Sequence, residues 1–178
     1  MFRALKIVLI IHCIVVLLLL SSMAIFSREK PILANCDDIQ VEEAIALLRN
    51  EYQNIETNRT REDYRKIIEK DMNCTFYIYK EEDLEEGIDG QCSLLFRTIT
   101  IDSYIDNFYY CSAFAHEVIH LKNLIAQENY VTYMTFKYLY EHPDPEFHSF
   151  GIRVALHCLQ GGYPQEYACA GEVIEYLL

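Results

Sequence analysis

An uncharged apolar run from Ile7 to Ser27 constrains this chain most strongly. A helix rises about 1.5 Å per residue, so the run can reach about 30 Å, the thickness of the hydrocarbon core of a bilayer. A cleaved signal usually has an apolar core of only about 7–15 residues. We therefore predict a membrane anchor over residues 7–27, after a short tail of residues 1–6. A cleaved signal and a buried helix are the alternatives.

The cysteines indicate which side of the membrane the rest of the chain occupies. Basic residues flank the apolar run at both ends and do not orient it, but six of the seven cysteines lie beyond it. An even number fits an oxidising compartment with disulfides, whose pairing the sequence does not choose. We predict a single-pass membrane protein with its domain on the extracytoplasmic side. The alternative is a cytosolic domain with buried, reduced thiols.

Residues 41–178, after a juxtamembrane linker of residues 28–40, are predicted to form one α+β domain. Helices are expected from about Val41 and after Thr60, which is a good N-terminal cap. Two strands, in residues 74–80 and 93–102, are joined by an acidic loop and are predicted to form a short antiparallel sheet. The remaining C-terminal half is predicted to be mostly helical. The net charge of −12 argues against a nucleic-acid partner.

The segment HEVIH carries the chemistry that the sequence indicates most clearly. Residues four apart on a helix share one face, so His116 and His120 can bind one metal ion. Neutral imidazole suits Zn²⁺, and Glu117 can take a proton from a water molecule on that ion. The pattern predicts a zinc site for peptide-bond hydrolysis. The alternative is a buried helix whose two histidines are satisfied by hydrogen bonds.

A catalytic zinc needs a third protein ligand, for which we favour Glu128 over Glu141. An unbroken helix would place Glu128 about 12 Å beyond His120 along the axis. The helix must therefore end and return, and Asn123 tolerates the left-handed conformation that ends helices. Glu128 would then face the histidines from an antiparallel helix, with Thr132 as a supporting neighbour.

His148 is the candidate donor for the negatively charged oxygen that forms during hydrolysis. A surface or capping role is the competing interpretation of this histidine. His142 and His157 have no motif support. Cys111, five residues before His116, is more typical of packing or disulfide formation than of a nucleophile.

The segments HEVIHLKNLIAQENYVTYMTF and HPDPEFHSFGIRVALHCL resemble the gluzincin zinc metallopeptidases, and especially a membrane-anchored, bacterial-type gluzincin-like group. The resemblance covers about Leu95 to Leu159 and implies a zincin-like domain. It implies that His116, His120 and Glu128 bind zinc and that Glu117 is the catalytic base. It also implies that the strand LLFRTITID is the edge strand lining the cleft. The chain departs from the group at Asn123, where a glycine is usual, and at AQENYV.

These observations predict a membrane-anchored zinc metallopeptidase that acts on a peptide or protein substrate. The alternative is a non-catalytic, membrane-tethered domain that binds another protein and has a structural or vestigial metal site.

Overall fold

The computed structural model describes residues 38–56, 58–123, 126–160 and 169–178. The predicted anchor over residues 7–27 and most of the predicted linker lie outside this part. Among the helices that are described, none is both long and apolar enough to cross a membrane. The anchor therefore stays a prediction.

Two helices open the described part of the chain. Helix α1 spans Asp38–Glu51 and helix α2 spans Arg61–Asp71. Thr60 caps α2 as predicted: its hydroxyl accepts from the N–H of Asp63 at 3.2 Å, and the Asp63 carboxylate accepts from the N–H of Thr60 at 2.8 Å. This reciprocal pair satisfies two backbone donors that an α-helix leaves without partners.

Three strands form a small mixed sheet in the part of the chain that the structure describes: β1 (Ile78–Glu82), β2 (Gly90–Ser93) and β3 (Thr98–Asp102). Their order is β1-β3-β2, with β1 parallel and β2 antiparallel to β3. The predicted antiparallel pairing of residues 74–80 with residues 93–102 is therefore wrong. The strand that pairs antiparallel with β3 is β2, which lies at the end of the acidic loop. Strand β1 pairs with the other edge of β3.

The central position of β3 also corrects the expected edge strand. Ile99 and Ile101 are fully buried on one face of β3, and Thr100 is 5% exposed on the other. Burial of both faces is typical of a central strand. Leu94 to Arg97 form the turn between β2 and β3 rather than part of a strand. The edge strand on the side of the cavity described below is β2.

Four helices complete the described fold: α3 (Asn107–Lys122), α4 (Glu128–Tyr140), α5 (Pro145–Gln160) and α6 (Ala170–Leu177). Gly151 allows α5 to approach the end of α4, because a Cβ atom there would lie 2.3 Å from the backbone nitrogen of Tyr140. With six helices and three strands in the described residues, the prediction of an α+β domain is confirmed.

Two hydrophobic clusters hold these elements together. The first packs α2, the sheet and α3 against α4 and the start of α5, and Phe114 of α3 is fully buried in it. The second joins α1, α5 and α6 around Phe136 of α4. Truncation of a buried phenylalanine to alanine costs about 3–5 kcal/mol, so the packing around Phe114 fixes the orientation of α3 firmly.

No pair of the described cysteines lies at disulfide-bond length. The Sγ atoms of Cys158 and Cys169 are 3.3 Å apart, in the second hydrophobic cluster. The predicted disulfides stay a prediction, and Cys36 lies outside the described residues.

Candidate metal centre

Helix α3 places the two predicted histidine ligands on one face. The helix begins after Asp106, whose carboxylate accepts a hydrogen bond from the N–H of Tyr109 at 3.0 Å. Phe114 and Val118 are buried in the core, whereas the side chains of His116 and His120 keep 21% and 15% of their surface exposed. Core packing on one side of α3 therefore turns the histidines towards the other side.

The chain reverses between α3 and α4 near the predicted residue, but by a different conformation. Asn123 has φ −122° and ψ 75°, so the predicted left-handed conformation is wrong. Asn123 instead closes the helix with its own donors, because its backbone N–H and side-chain amide both contact the Ile119 carbonyl, at 2.9 and 3.0 Å. Glu128 then begins α4. The expected return of Glu128 towards the histidines is confirmed.

Three residues form a triangle at this point, in which each pair of residues is joined by one contact of 3.1 Å. The Nε2 atoms of His116 and His120 are 3.1 Å apart. One carboxylate oxygen of Glu128 lies 3.1 Å from His116 Nε2, and the other lies 3.1 Å from His120 Nε2. These three residues also make up the group in the described chain that could hold a metal ion. Glu128 is thus the acid that the fold brings to the histidines.

These groups carry too few protons to form a hydrogen bond at each of the three contacts. Each Nε2 atom carries at most one proton, and an ionised carboxylate carries none. Two protons at most are therefore available for three contacts, although all three groups point their polar atoms at one another. A cation among the three would accept their lone pairs together.

The charges in the cluster are strongly coupled. The hydrogen bonds from His116 and His120 hold the pKa of Glu128 far below its usual value, so this carboxylate is ionised. The hydrogen bond with Glu128 in turn raises the pKa of His120. A firmly ionised carboxylate beside two imidazoles provides the mixed anionic and neutral ligands that zinc sites use.

Glu117 occupies a different environment from Glu128. It is 7% exposed, and burial raises the pKa of its carboxyl group. Gly90 at the start of β2 makes room for its side chain, because a Cβ atom on Gly90 would lie 3.2 Å from Glu117 Cγ. The Cys92 thiol, also on β2, hydrogen-bonds to Glu117. A buried carboxyl with a raised pKa is suited to accepting and returning a proton.

A cavity of about 870 Å³ opens in front of the cluster. Its wall includes all three members of the triangle, Glu117 and the predicted supporting residue Thr132. Strand β2 and the loop before it form one side, and α5 forms another. The cavity is large enough for a ligand of several residues or for a drug-sized molecule.

The donor set fits a zinc ion. Ligands at 2.0–2.1 Å from a tetrahedral ion lie about 3.3–3.4 Å apart. Here the two Nε2 atoms are 3.1 Å apart, each faces a different Glu128 oxygen at 3.1 Å, and one ligand atom from each residue lies within 4.8 Å of the others. Two histidines and one glutamate are a ligand set of catalytic zinc sites, in which the fourth position stays open. The open position would face the cavity.

The two remaining predicted candidates lie elsewhere. Glu141 caps the far end of α4, about 20 Å from Glu128 along the helix axis, and accepts a hydrogen bond from the Tyr176 hydroxyl at 2.7 Å. His148 contacts the Tyr140 carbonyl and Glu51. It lines a separate hollow at the start of α5 rather than the cavity of the triangle. The structure does not bring Glu141 or His148 to the cluster.

His157 lines the cavity, although its surroundings in the sequence contain no motif. It lies on α5 at spacings of three and seven from Val154 and Phe150, which pack in the first hydrophobic cluster. That helical spacing places His157 on the inward face, one turn beyond Val154. Its ring approaches the Tyr109 ring, with 6.1 Å between centroids. Helical periodicity in α5 is the signal that could have identified it.

Comparisons with models of protein families, with curated proteins and with solved structures found no match to this chain. Function is therefore inferred from the geometry of the site.

Proposed function

We propose that the protein is a zinc-dependent metallopeptidase of the gluzincin type. The observation that supports this most is the triangle of His116, His120 and Glu128, which opens on a cavity and has a buried acid beside it. His116, His120 and Glu128 would hold the ion. A bound zinc lowers the pKa of water to about 7 and polarises carbonyl groups.

The residues of the chain supply the proton transfers and the positioning. Glu117 accepts a proton from the attacking water and later delivers it to the leaving amine, for which a raised pKa is favourable. On β2, Gly90 leaves room for the Glu117 side chain, and the Cys92 thiol interacts with its carboxyl group. His157 lines the cavity wall, and in this proposal it would donate a hydrogen bond to the substrate.

Two features favour catalysis over a purely structural metal site. Structural zinc sites are closed by four protein ligands, whereas three donors converge here and the Glu128 side chain is 57% exposed. Strand β2 lines the cavity and, among the described strands, pairs only with β3. Its outer edge can therefore pair with an extended peptide, which favours a peptide or protein substrate.

The test combines metal content with hydrolysis of a mixture of internally quenched peptides. We expect the full chain to hold one zinc and to cleave the peptides. Glu117→Gln is expected to keep the zinc and to lose about 10²–10⁴-fold in kcat, because only proton transfer is removed. Glu141→Gln is the matched control, since this acid has a 49% exposed side chain and lies at the far end of α4.

The outcomes separate the competing functions. Hydrolysis by Glu117→Gln at the wild-type rate would show that Glu117 takes no part in the mechanism. A chain that binds zinc through the triangle but cleaves no peptide would instead be the membrane-tethered binding domain with a structural or vestigial site.

The anchor over residues 7–27, with the domain on the extracytoplasmic side, is the second part of the proposal. Its support is the length of the uncharged run. The full chain is expected to stay with membranes after alkaline carbonate extraction, and its domain is expected to be digested by protease added outside intact cells. Release of the chain by carbonate would contradict the anchor.

A further inference from the structure

An exposed apolar surface lies at the end of the sheet where β2 turns into β3. We call it the apolar tip and define it by Phe76, Ile78, Leu95 and Phe96. These side chains are 79%, 59%, 84% and 70% exposed. Tight turns usually carry Gly, Asn, Asp or Pro, so a turn with the sequence Leu-Leu-Phe-Arg is unusual. Clustered exposed apolar side chains of this size are typical of interaction surfaces.

Local contacts hold the members of the tip together. The backbone N–H of Ile78 donates to the Arg97 carbonyl at 2.7 Å, which joins the start of β1 to the turn. The Arg97 guanidinium lies over the Phe76 ring, 5.2 Å from its centroid. The start of β1 and the turn between β2 and β3 therefore lie side by side, with a cation next to Phe76.

Charge is distributed unevenly around the tip. The chain has 27 acidic and 15 basic residues, but residues 72–80 and 91–101 contain no Asp or Glu. Burial raises the pKa of the Cys74 thiol, the nearby charges of Lys122 and Arg97 oppose that rise, and the charge of Glu69 adds to it. Two cations thus lie at the base of the tip. A strongly acidic protein would be repelled by anionic lipid. The segments that form the tip contain no acidic residue, and the two cations at its base outnumber the one nearby carboxylate, that of Glu69.

We infer that the apolar tip inserts into the interface of a phospholipid bilayer, with Arg97 and Lys122 at the level of the headgroups. Leu and Phe side chains enter the boundary between headgroups and acyl chains, and basic side chains favour the headgroups. Leu94, the first residue of the turn, also lines the cavity of the metal centre. Insertion of the tip would hold the rim of that cavity at the membrane surface.

The proposed anchor supports this occupant over a protein partner. Ten residues separate the uncharged run, which ends at Ser27, from the start of α1 at Asp38. Ten extended residues span at most about 35 Å, so the domain would remain close to the bilayer. The exposure of the tip and its lack of acidic residues do not depend on the anchor or on hydrolysis.

The absence of tryptophan from the chain permits a direct test. Phe96→Trp places a single fluorescent reporter in the tip. Tyr104→Trp is the matched control, because Tyr104 is 81% exposed and follows the opposite end of β3. Each full-length variant is mixed with vesicles of phosphatidylcholine and phosphatidylglycerol, with and without brominated acyl chains, and co-sedimentation measures binding.

We expect the emission of Phe96→Trp to shift to shorter wavelength on vesicles and to lose roughly half its intensity with brominated lipid, whereas Tyr104→Trp changes little. If Phe96→Trp sediments with the vesicles but its emission is neither shifted nor quenched, the insertion of the tip is overturned and the anchor is not. Failure of both variants to co-sediment would overturn the tip and the anchor together. If the emission of Phe96→Trp shifts with protein concentration in the absence of lipid, the tip binds a second copy of the chain. That result would overturn the proposal that it inserts into a bilayer.

Discussion

The candidate metal centre and a second charged cluster in this protein differ in how their charges are balanced. We call the second group the Arg59 cluster; it consists of Arg59, Tyr64, Asp144 and Glu146. The Arg59 guanidinium donates to the carboxylates of Asp144 and Glu146, and the Tyr64 hydroxyl donates to Glu146. Glu146 is 4% exposed, yet each of these contacts joins a donor to an acceptor. The cluster needs no further ion and joins α2 to α5.

The metal centre has the opposite character. His116, His120 and Glu128 bring two imidazole nitrogens and two carboxylate oxygens together, with too few protons for a hydrogen bond at each of the three contacts. The comparison shows that a charged cluster is informative about ligands only when its own members do not satisfy one another. Three of the four substitutions proposed next change a member of one of the two clusters, and the fourth changes Gly90, which lies beside Glu117.

The largest effect is expected from His116→Ala. Structural zinc sites with four ligands bind with about 10–16 kcal/mol, so one ligand is worth about 2.5–4 kcal/mol, or roughly 70- to 900-fold in affinity. Competition with a chromophoric chelator measures this loss. His142→Ala, outside the cluster, should bind zinc as the wild type does. Equal zinc affinity in His116→Ala and the wild type would show that His116 is not a zinc ligand.

Arg59→Met should destabilise the fold without affecting zinc. It leaves the buried Glu146 carboxylate without its cation, and removal of one partner from a buried pair costs about 3 kcal/mol or more. Denaturant unfolding measures the loss in the free energy of unfolding. Arg49→Met, at an exposed arginine of α1, should change it by less than about 0.5 kcal/mol. A loss of zinc affinity in Arg59→Met would show that the two clusters are coupled.

Gly90→Ala is expected to affect catalysis while metal binding is retained. The added Cβ would lie 2.9 Å from Ile101 Cδ1 and 3.2 Å from Glu117 Cγ. A small displacement of Glu117 should lower kcat about tenfold or more. Zinc content and thermal unfolding of the variant provide the controls. An unchanged kcat would mean that the contact of β2 with Glu117 does not position the acid.

The smallest effect is expected from Asp144→Asn, whose loss in the free energy of unfolding should depend on pH. The hydrogen bond from Arg59 holds the pKa of Asp144 below its usual 3.8. A lowered pKa stabilises the fold above the unfolded-state value, and the contribution disappears as pH falls through the folded-state value. Asp144→Asn should therefore be less stable than the wild type by about 1 kcal/mol above pH 5. The difference should vanish in stronger acid; a difference that persists there would contradict the ion pair.

Local features of the sequence were sufficient to predict the triangle. The spacing of His116 and His120 fixes their common face, and the geometric need for a helix break before Glu128 placed that residue opposite them. The Thr60 cap was predictable for the same reason, since its partner Asp63 is three residues away. Interactions within one helical turn depend little on the rest of the fold.

Features that depend on distant partners were not predictable. Strand β1 pairs in parallel with β3 because β2 occupies the other edge, and no local pattern in the acidic loop marks β2. The environments of His148 and His157 depend on which neighbour each face of α5 meets. Asn123 ends α3 through side-chain and backbone contacts with Ile119, a solution that residue preferences alone do not distinguish from a left-handed cap.

X-ray absorption of the zinc-loaded full chain tests the central claim most directly. The account predicts one zinc per chain, with scattering from two imidazoles and a carboxylate oxygen at about 2.0–2.1 Å and none from sulfur. A first shell containing sulfur, or a chain that takes up no zinc, would contradict it.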